Sequence, residues 1–290
     1  MGLAQKSFFD MTVGIPIKDI PQAVLDDVMD SLKNYLVALY ILLPEKPQPR
    51  PKPIGSGTFV EIKGTHYILT AAHVWHKISW AEMIGLVLTD YQSSFMVLRD
   101  AISAQELWNG KDSEWGPDLA LLKLALADVA TIKAHKSFLN LTQQKEALAS
   151  CPPAIEKGHW AVTGMVGEFT EVQSHPGAGT VECHIRGEAF ISAVQQTHER
   201  DGYDYFDLGA NLNLPGVPSS FGGVSGGGLW DVRLSMAKSG TISWDGKRYF
   251  RGVAFWETEK SGGHRMIRCH GPKSIFEKAW ESWELPRKNG

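Results

Sequence analysis

The sequence predicts an all-β chain framed by a helical extension at its N-terminus and a helix at its C-terminus. Three observations lead there. Apolar runs of strand length recur along most of the 290 residues, 29 glycines punctuate them, and helical periodicity is confined to the two ends. Short strands joined by glycine-rich turns indicate barrels or a sandwich.

The first element is a helix over Asp19–Asn34. Asp19 is placed to cap it, Pro21 suits its first turn, and Val24, Leu25, Val28, Met29 and Leu32 recur at helical spacing. Residues 1–34 therefore read as an extension packed on the rest. Leu36–Leu43 follows as a buried strand. Pro44–Pro53 carries five prolines and reads as an extended surface loop. Gly57–Lys63 and Thr65–Thr70 flank Gly64 as a hairpin, Ile84–Asp90 and Ser94–Asp100 form a second pair, and Leu119–Leu124 is a continuous buried run. This gives a first lobe over 35–130. Residues 131–157 read as a connector ending at Pro152–Pro153. A second lobe over 158–290 holds strands at His159–Val166, Gly179–Ile185, Glu188–Gln195, Tyr203–Leu208, Gly227–Leu234, Gly240–Trp244, Tyr249–Thr258 and Arg265–Cys269. A helix over Pro272–Trp283 closes it, with Ile275, Phe276, Ala279 and Trp283 on one face.

Composition excludes several function classes. Apolar residues make up 43% and charged residues 21%, the balance of a globular chain with a sizeable core. A net charge of -3 gives no basic field for nucleic acid, and no polybasic run suits an acidic membrane. The 10 tryptophans and 12 phenylalanines are scattered without a basic–aromatic stripe and read as core. Leu36–Leu43, the longest apolar run, is too short to span a bilayer. The cysteines are few and odd in number: Cys151, Cys183 and Cys269. Met1–Asp10 lacks the apolar stretch of a secretion signal, and Lys6 stands where a myristoylation signal needs Ser or Thr. The expected compartment is the cytoplasm. His66, His73 and His76 lie close in sequence, and Cys183 adjoins His184, but no paired-cysteine or His-Glu-x-x-His run accompanies them. No metal and no organic cofactor are expected.

Three segments carry chemistry. In Tyr67-Ile-Leu-Thr-Ala-Ala-His73, a strand delivers a histidine. In Gly116-Pro-Asp118-Leu-Ala-Leu-Leu, an aspartate sits at the mouth of a buried strand. In Ser220-Phe-Gly-Gly-Val-Ser225-Gly-Gly-Gly, a serine lies among glycines that let backbone amides converge on one point. A serine hydroxyl is a weak nucleophile at neutral pH and needs a base within hydrogen-bond reach.

In that order, His then Asp then Ser, the segments resemble the trypsin-like (chymotrypsin-fold) serine peptidases over roughly residues 36–285. The resemblance implies two six-stranded antiparallel β-barrels and a catalytic triad of His73, Asp118 and Ser225. It implies an oxyanion hole made by the amides of Gly223 and Ser225, and an acyl-enzyme route that hydrolyses a protein or peptide substrate. Ser219 matches the floor of the pocket beside the scissile bond. The strand Phe250–Glu257 matches a wall of that pocket, which places Trp256 and Glu257 at the substrate; Phe255 and Trp256 read equally well as barrel core.

Two positions depart from the family. Val224 stands where many relatives have the aspartate that pairs with a terminus freed by zymogen cleavage. Activation by that route is therefore not expected, and the oxyanion loop is either preformed or ordered by a regulatory protein partner. Phe255 falls where relatives often place a serine bonded to the triad aspartate. Both departures keep open the alternative of a catalytically silent binding or scaffold module. Gly223-Val-Ser225-Gly-Gly227 also fits the elbow of α/β-hydrolases, but that elbow must open a helix, and three successive glycines oppose one.

Overall fold

The computed structural model describes residues 15, 17–45, 49–88, 94–110, 113–156, 158–175 and 180–284. The calls on Met1–Asp10, and parts of the segments at 44–53, 84–90, 131–157 and 179–185, fall outside them. Strand makes up 47% and helix 24%, so the chain is mostly β; its sheets are antiparallel, and one curls into a half-barrel.

In the first sheet, β1 (Leu36–Leu43), β2 (Arg50–Ile62) and β3 (Thr65–Thr70) are followed by a short helix, α2 (Ala72–Ile78). Then come β4 (Met83–Val87), β5 (Ser94–Leu98), β6 (Ser103–Trp108) and β7 (Asp118–Lys123). Their order is β5-β4-β1-β2-β3-β7-β6. Thus β5 and β6, separated only by the turn Arg99–Ala101 and Ile102, stand at opposite edges. The second sheet uses β9 (His159–Met165), β12 (Gly187–Ser192), β13 (Val194–Arg200), β14 (Tyr203–Asn211), β15 (Gly228–Met236), β16 (Ile242–Glu257) and β17 (His264–His270). Its order is β12-β9-β15-β16-β17-β14-β13, again with two edges, β12 and β13, that are neighbours in sequence across Ala193. A separate hairpin pairs β10 (Glu171–His175) with β11 (Thr180–His184).

The polypeptide between the sheets is helical, which its reading as a plain connector missed. It holds α3 (Leu126–Lys133), the short β8 (Leu139–Asn140, parallel to β2) and α4 (Leu141–Ser150), capped by the Asn140 side chain on the Gln143 amide at 2.9 Å. The N-terminal helix α1 is Gln22–Lys33, with Pro21 at its cap; Asp19 belongs to a preceding turn and caps nothing. The terminal helix opens in a wide π turn over Ser274–Ala279 and ends as α5 (Trp280–Glu284).

Two further corrections concern strands. Pro51 and Pro53 lie in β2, opposite Leu42 and Tyr40. They are tolerated because β3 pairs only with residues 58–62, leaving the other side of that stretch unladdered. The runs at 240–244 and 249–258 form one strand, β16, whose ladder with β15 is interrupted by a bulge between Val232 and Leu234.

Each sheet has its own core. Val37, Leu39, Phe59, Ile68 and Leu122 pack in the first, and Trp160, Val162, Phe206, Val224 and Leu229 in the second. A third cluster joins them: Leu69 and Leu121 of the first sheet meet Trp230 and Phe250 of the second, with Val28 and Leu32 of α1 and Phe276 and Trp280 near the C-terminus. The cleft described below is lined by residues of both halves of the chain.

Candidate active site

His73 enters from α2, which starts directly after β3. An α-helix leaves its first amides without partners inside the helix. The amide of His73 is one of these, and it donates to Asp118 Oδ1 at 2.9 Å. Asp118 is the first residue of β7, and the β3–β7 ladder (Thr70 opposite Ala120) brings it beside that helix end. Its other oxygen, Oδ2, accepts from His73 Nδ1 at 2.6 Å. The carboxylate is almost fully buried. A carboxylate only accepts, so this bond puts a proton on Nδ1, and Nε2 has no hydrogen-bond partner among the described residues.

A second imidazole stands behind Asp118. The Asp118 backbone amide donates to His270 Nε2 at 3.1 Å, and the His270 ring stacks on Phe255 with centroids 4.4 Å apart. Burial pushes His270 down to about 4, so it is neutral at physiological pH. Its Nδ1 finds no hydrogen-bond partner among the described residues. Gly116 makes room for the ring: a Cβ there would lie 2.7 Å from its Cε1. Phe255 thus supplies the aromatic face that holds His270, and the support of Asp118 comes from an imidazole on its backbone.

Ser225 lies between β14 and β15 in a loop that no helix or strand shapes. Gly223 and Gly226 adopt φ of +98° and +91°, and a Cβ on Gly226 would come within 1.9 Å of the Ser56 carbonyl. Ser56, fully buried on β2 of the other sheet, braces this loop. Its hydroxyl donates to the Gly223 carbonyl at 2.7 Å and accepts from the Met165 amide at 2.7 Å, while its own amide donates to the Ser225 carbonyl at 2.8 Å. Val224 is buried in the second core and touches Gly164. The amides of Gly222, Val224, Gly226 and Gly227 are all engaged. Those of Gly223 and Ser225 have no partner among the described residues.

His73, Asp118, Gly223 and Ser225 line one cleft of about 540 Å³ with Trp256 and Glu257. Ser219 is not on its wall; its amide and hydroxyl both go to Glu168 Oε2, at 2.8 and 2.7 Å. The Ser225 hydroxyl donates to the Phe255 carbonyl at 3.4 Å. Sequence reading missed Lys77, Ser220 and Arg265, which also line the cleft, and the two braces Ser56 and His270. Lys77 had a signal, since it lies four residues after His73 on one face of α2. The neighbouring histidines go elsewhere: His76 pairs with Glu106, and His66 packs edge-on against Phe138. A larger cavity, about 1460 Å³, lies between α1 and the second sheet and is lined by none of His73, Asp118 and Ser225.

No family model and no curated protein matches this chain. Among the described residues, no helix is long and apolar enough to cross a membrane.

Proposed function

We propose that this chain is a serine endopeptidase of trypsin-like architecture. The observation that carries the reading is the 2.6 Å bond from His73 Nδ1 to the buried Asp118 carboxylate, in the same cleft as Ser225. His73 Nε2 takes the Ser225 proton as Oγ attacks the carbonyl carbon of a peptide bond. The resulting oxyanion meets the two unengaged amides of Gly223 and Ser225. The imidazolium then protonates the leaving amine as the C–N bond breaks, and water repeats the sequence to release the acid and restore the hydroxyl. Strand pairing supports the same architecture. Counting β5–β6 as one interrupted strand and β12–β13 as another, both sheets follow one cyclic order of six strands, first-second-third-sixth-fifth-fourth. Burial of Val224 and the Ser56 bonds support a loop that is already formed without zymogen cleavage.

One observation favours a second reading, a silent binding module. The Ser225 hydroxyl is directed at the Phe255 carbonyl, and no hydrogen bond joins it to His73 among the described residues. Catalytic hydrogen bonds are commonly loose before substrate arrives, and one rotation of the serine side chain redirects the hydroxyl. A fluorophosphonate probe decides between the two. Labelling that disappears in Ser225→Ala is the expected result; an unlabelled wild-type chain that also cleaves no member of a peptide library would overturn the peptidase.

A further inference from the structure

The cleft continues past Ser225 to a pair of opposite charges. Glu257 ends β16, and Arg265 lies on the neighbouring β17. Glu257 Oε1 accepts from the Ser220 hydroxyl at 2.8 Å; Oε2 accepts from the Phe221 amide at 2.7 Å and faces Arg265 Nη1 at 2.8 Å. Both oxygens of the carboxylate are therefore committed, and one of the three donors is a cation. The two side chains are 28% and 18% exposed, which separates them from solvent-screened surface pairs. The other charged groups on the wall offer no substitute. Asp118 holds His73, and Lys77 and Glu259 are exposed.

Resting on the peptidase reading, we infer that the Glu257–Arg265 pair restricts the site to peptide bonds flanked by an uncharged side chain. A substrate lysine or arginine at Glu257 meets a carboxylate that already holds a guanidinium and two further donors. An aspartate or glutamate at Arg265 meets a guanidinium whose charge Glu257 already balances. A charged side chain would give up its own hydration there for little net attraction, which is how a site rejects a wrong partner. A neutral side chain leaves the pair intact.

Arg265→Met tests this by removing the cation from Glu257 Oε2, which keeps only the Phe221 amide, while keeping the apolar stem. Benzamidine, an aryl amidinium, reads the freed carboxylate by calorimetry without any turnover. The variant is expected to bind it at least tenfold more tightly than wild type, and the Arg265→Met/Glu257→Gln double variant to lose that gain. In parallel, wild type is expected to cleave after neutral residues at least tenfold faster than after Lys or Arg, and the variant to reverse that ranking. Arg265→Gln serves if Arg265→Met does not fold. Equal benzamidine binding by wild type and variant, or wild-type cleavage after Lys or Arg as fast as after Ala or Leu, overturns the inference. Failure of the peptidase reading registers separately, as absent labelling of Ser225.

Discussion

The two halves of the site are built differently. The half that holds His73 and Asp118 stands on regular elements of the first sheet, with His73 in the first turn of α2 and Asp118 at the start of β7. The half that holds Ser225 is a loop from the second sheet, shaped by glycines at positive φ and by bonds to its surroundings. Regular elements position a side chain through their own ladders, so a substitution at the tip leaves the scaffold standing. A glycine loop has no ladder, so its shape depends on contacts made elsewhere. The first half should therefore lose chemistry when altered, and the second should lose structure as well.

The largest expected effect tests the first of these statements. His73→Ala and Ser225→Ala should each lower kcat/KM on the order of a million-fold, because the proposed triad acts as a unit, and His73→Ala should leave the thermal midpoint close to wild type. Equal losses of melting temperature and of rate in His73→Ala would break the comparison. Next comes Gly226→Ala. Its Cβ would meet the Ser56 carbonyl at 1.9 Å in a conformation that L-residues avoid. A destabilisation of about 3 kcal/mol or more is expected in urea unfolding. A value under about 1 kcal/mol would show that the loop yields easily.

Of similar size is a pH effect at His270, on the opposite side of Asp118 from His73. Its folded pKa, about 4, lies below the ordinary 6.5. Between those values the unfolded chain binds the proton and the folded chain does not. The stabilising contribution is thus complete above pH 6.5 and is lost as the pH falls toward 4, amounting to about 3 kcal/mol. Urea unfolding of wild type and His270→Gln across that range checks it; the same acid slope in both would remove His270 from the account. The smallest effect is that of Ser56→Ala, which deletes the hydroxyl bonds to Gly223 and Met165 and should cost about 1–3 kcal/mol of stability. Its rate loss should fall on kcat with KM little changed, since the amides it steadies act on the transition state.

The sequence made some of this legible. Helix, strand and glycine patterns outlined α1, most strands and the terminal helix. The three motifs located His73, Asp118 and Ser225, which the fold gathers at one cleft. What escaped notice depends on partners distant in sequence. Pro51 and Pro53 read as strand breakers because nothing local says that one side of β2 there lacks a ladder partner. α4 is a polar helix with little apolar periodicity to announce it. Ser56 and Arg265 look like ordinary surface residues until Gly223 and Glu257 are placed against them. His270 ends a strand like many others, and only the register of β17 puts it behind Asp118. Phe255 looked like a defect in the support of the aspartate until its ring was found against that second imidazole.

Ser56 and His270 share one geometric property. The first belongs to one sheet and grips the loop of the other; the second reaches back across the seam to the strand of its neighbour. Parting the two sheets would therefore break the hydrogen bonds that brace both the Ser225 loop and Asp118. Heat or denaturant that loosens either sheet is expected to reach Ser225, so if the proposed reactivity holds, covalent capture of that hydroxyl would gauge how firmly the sheets are joined.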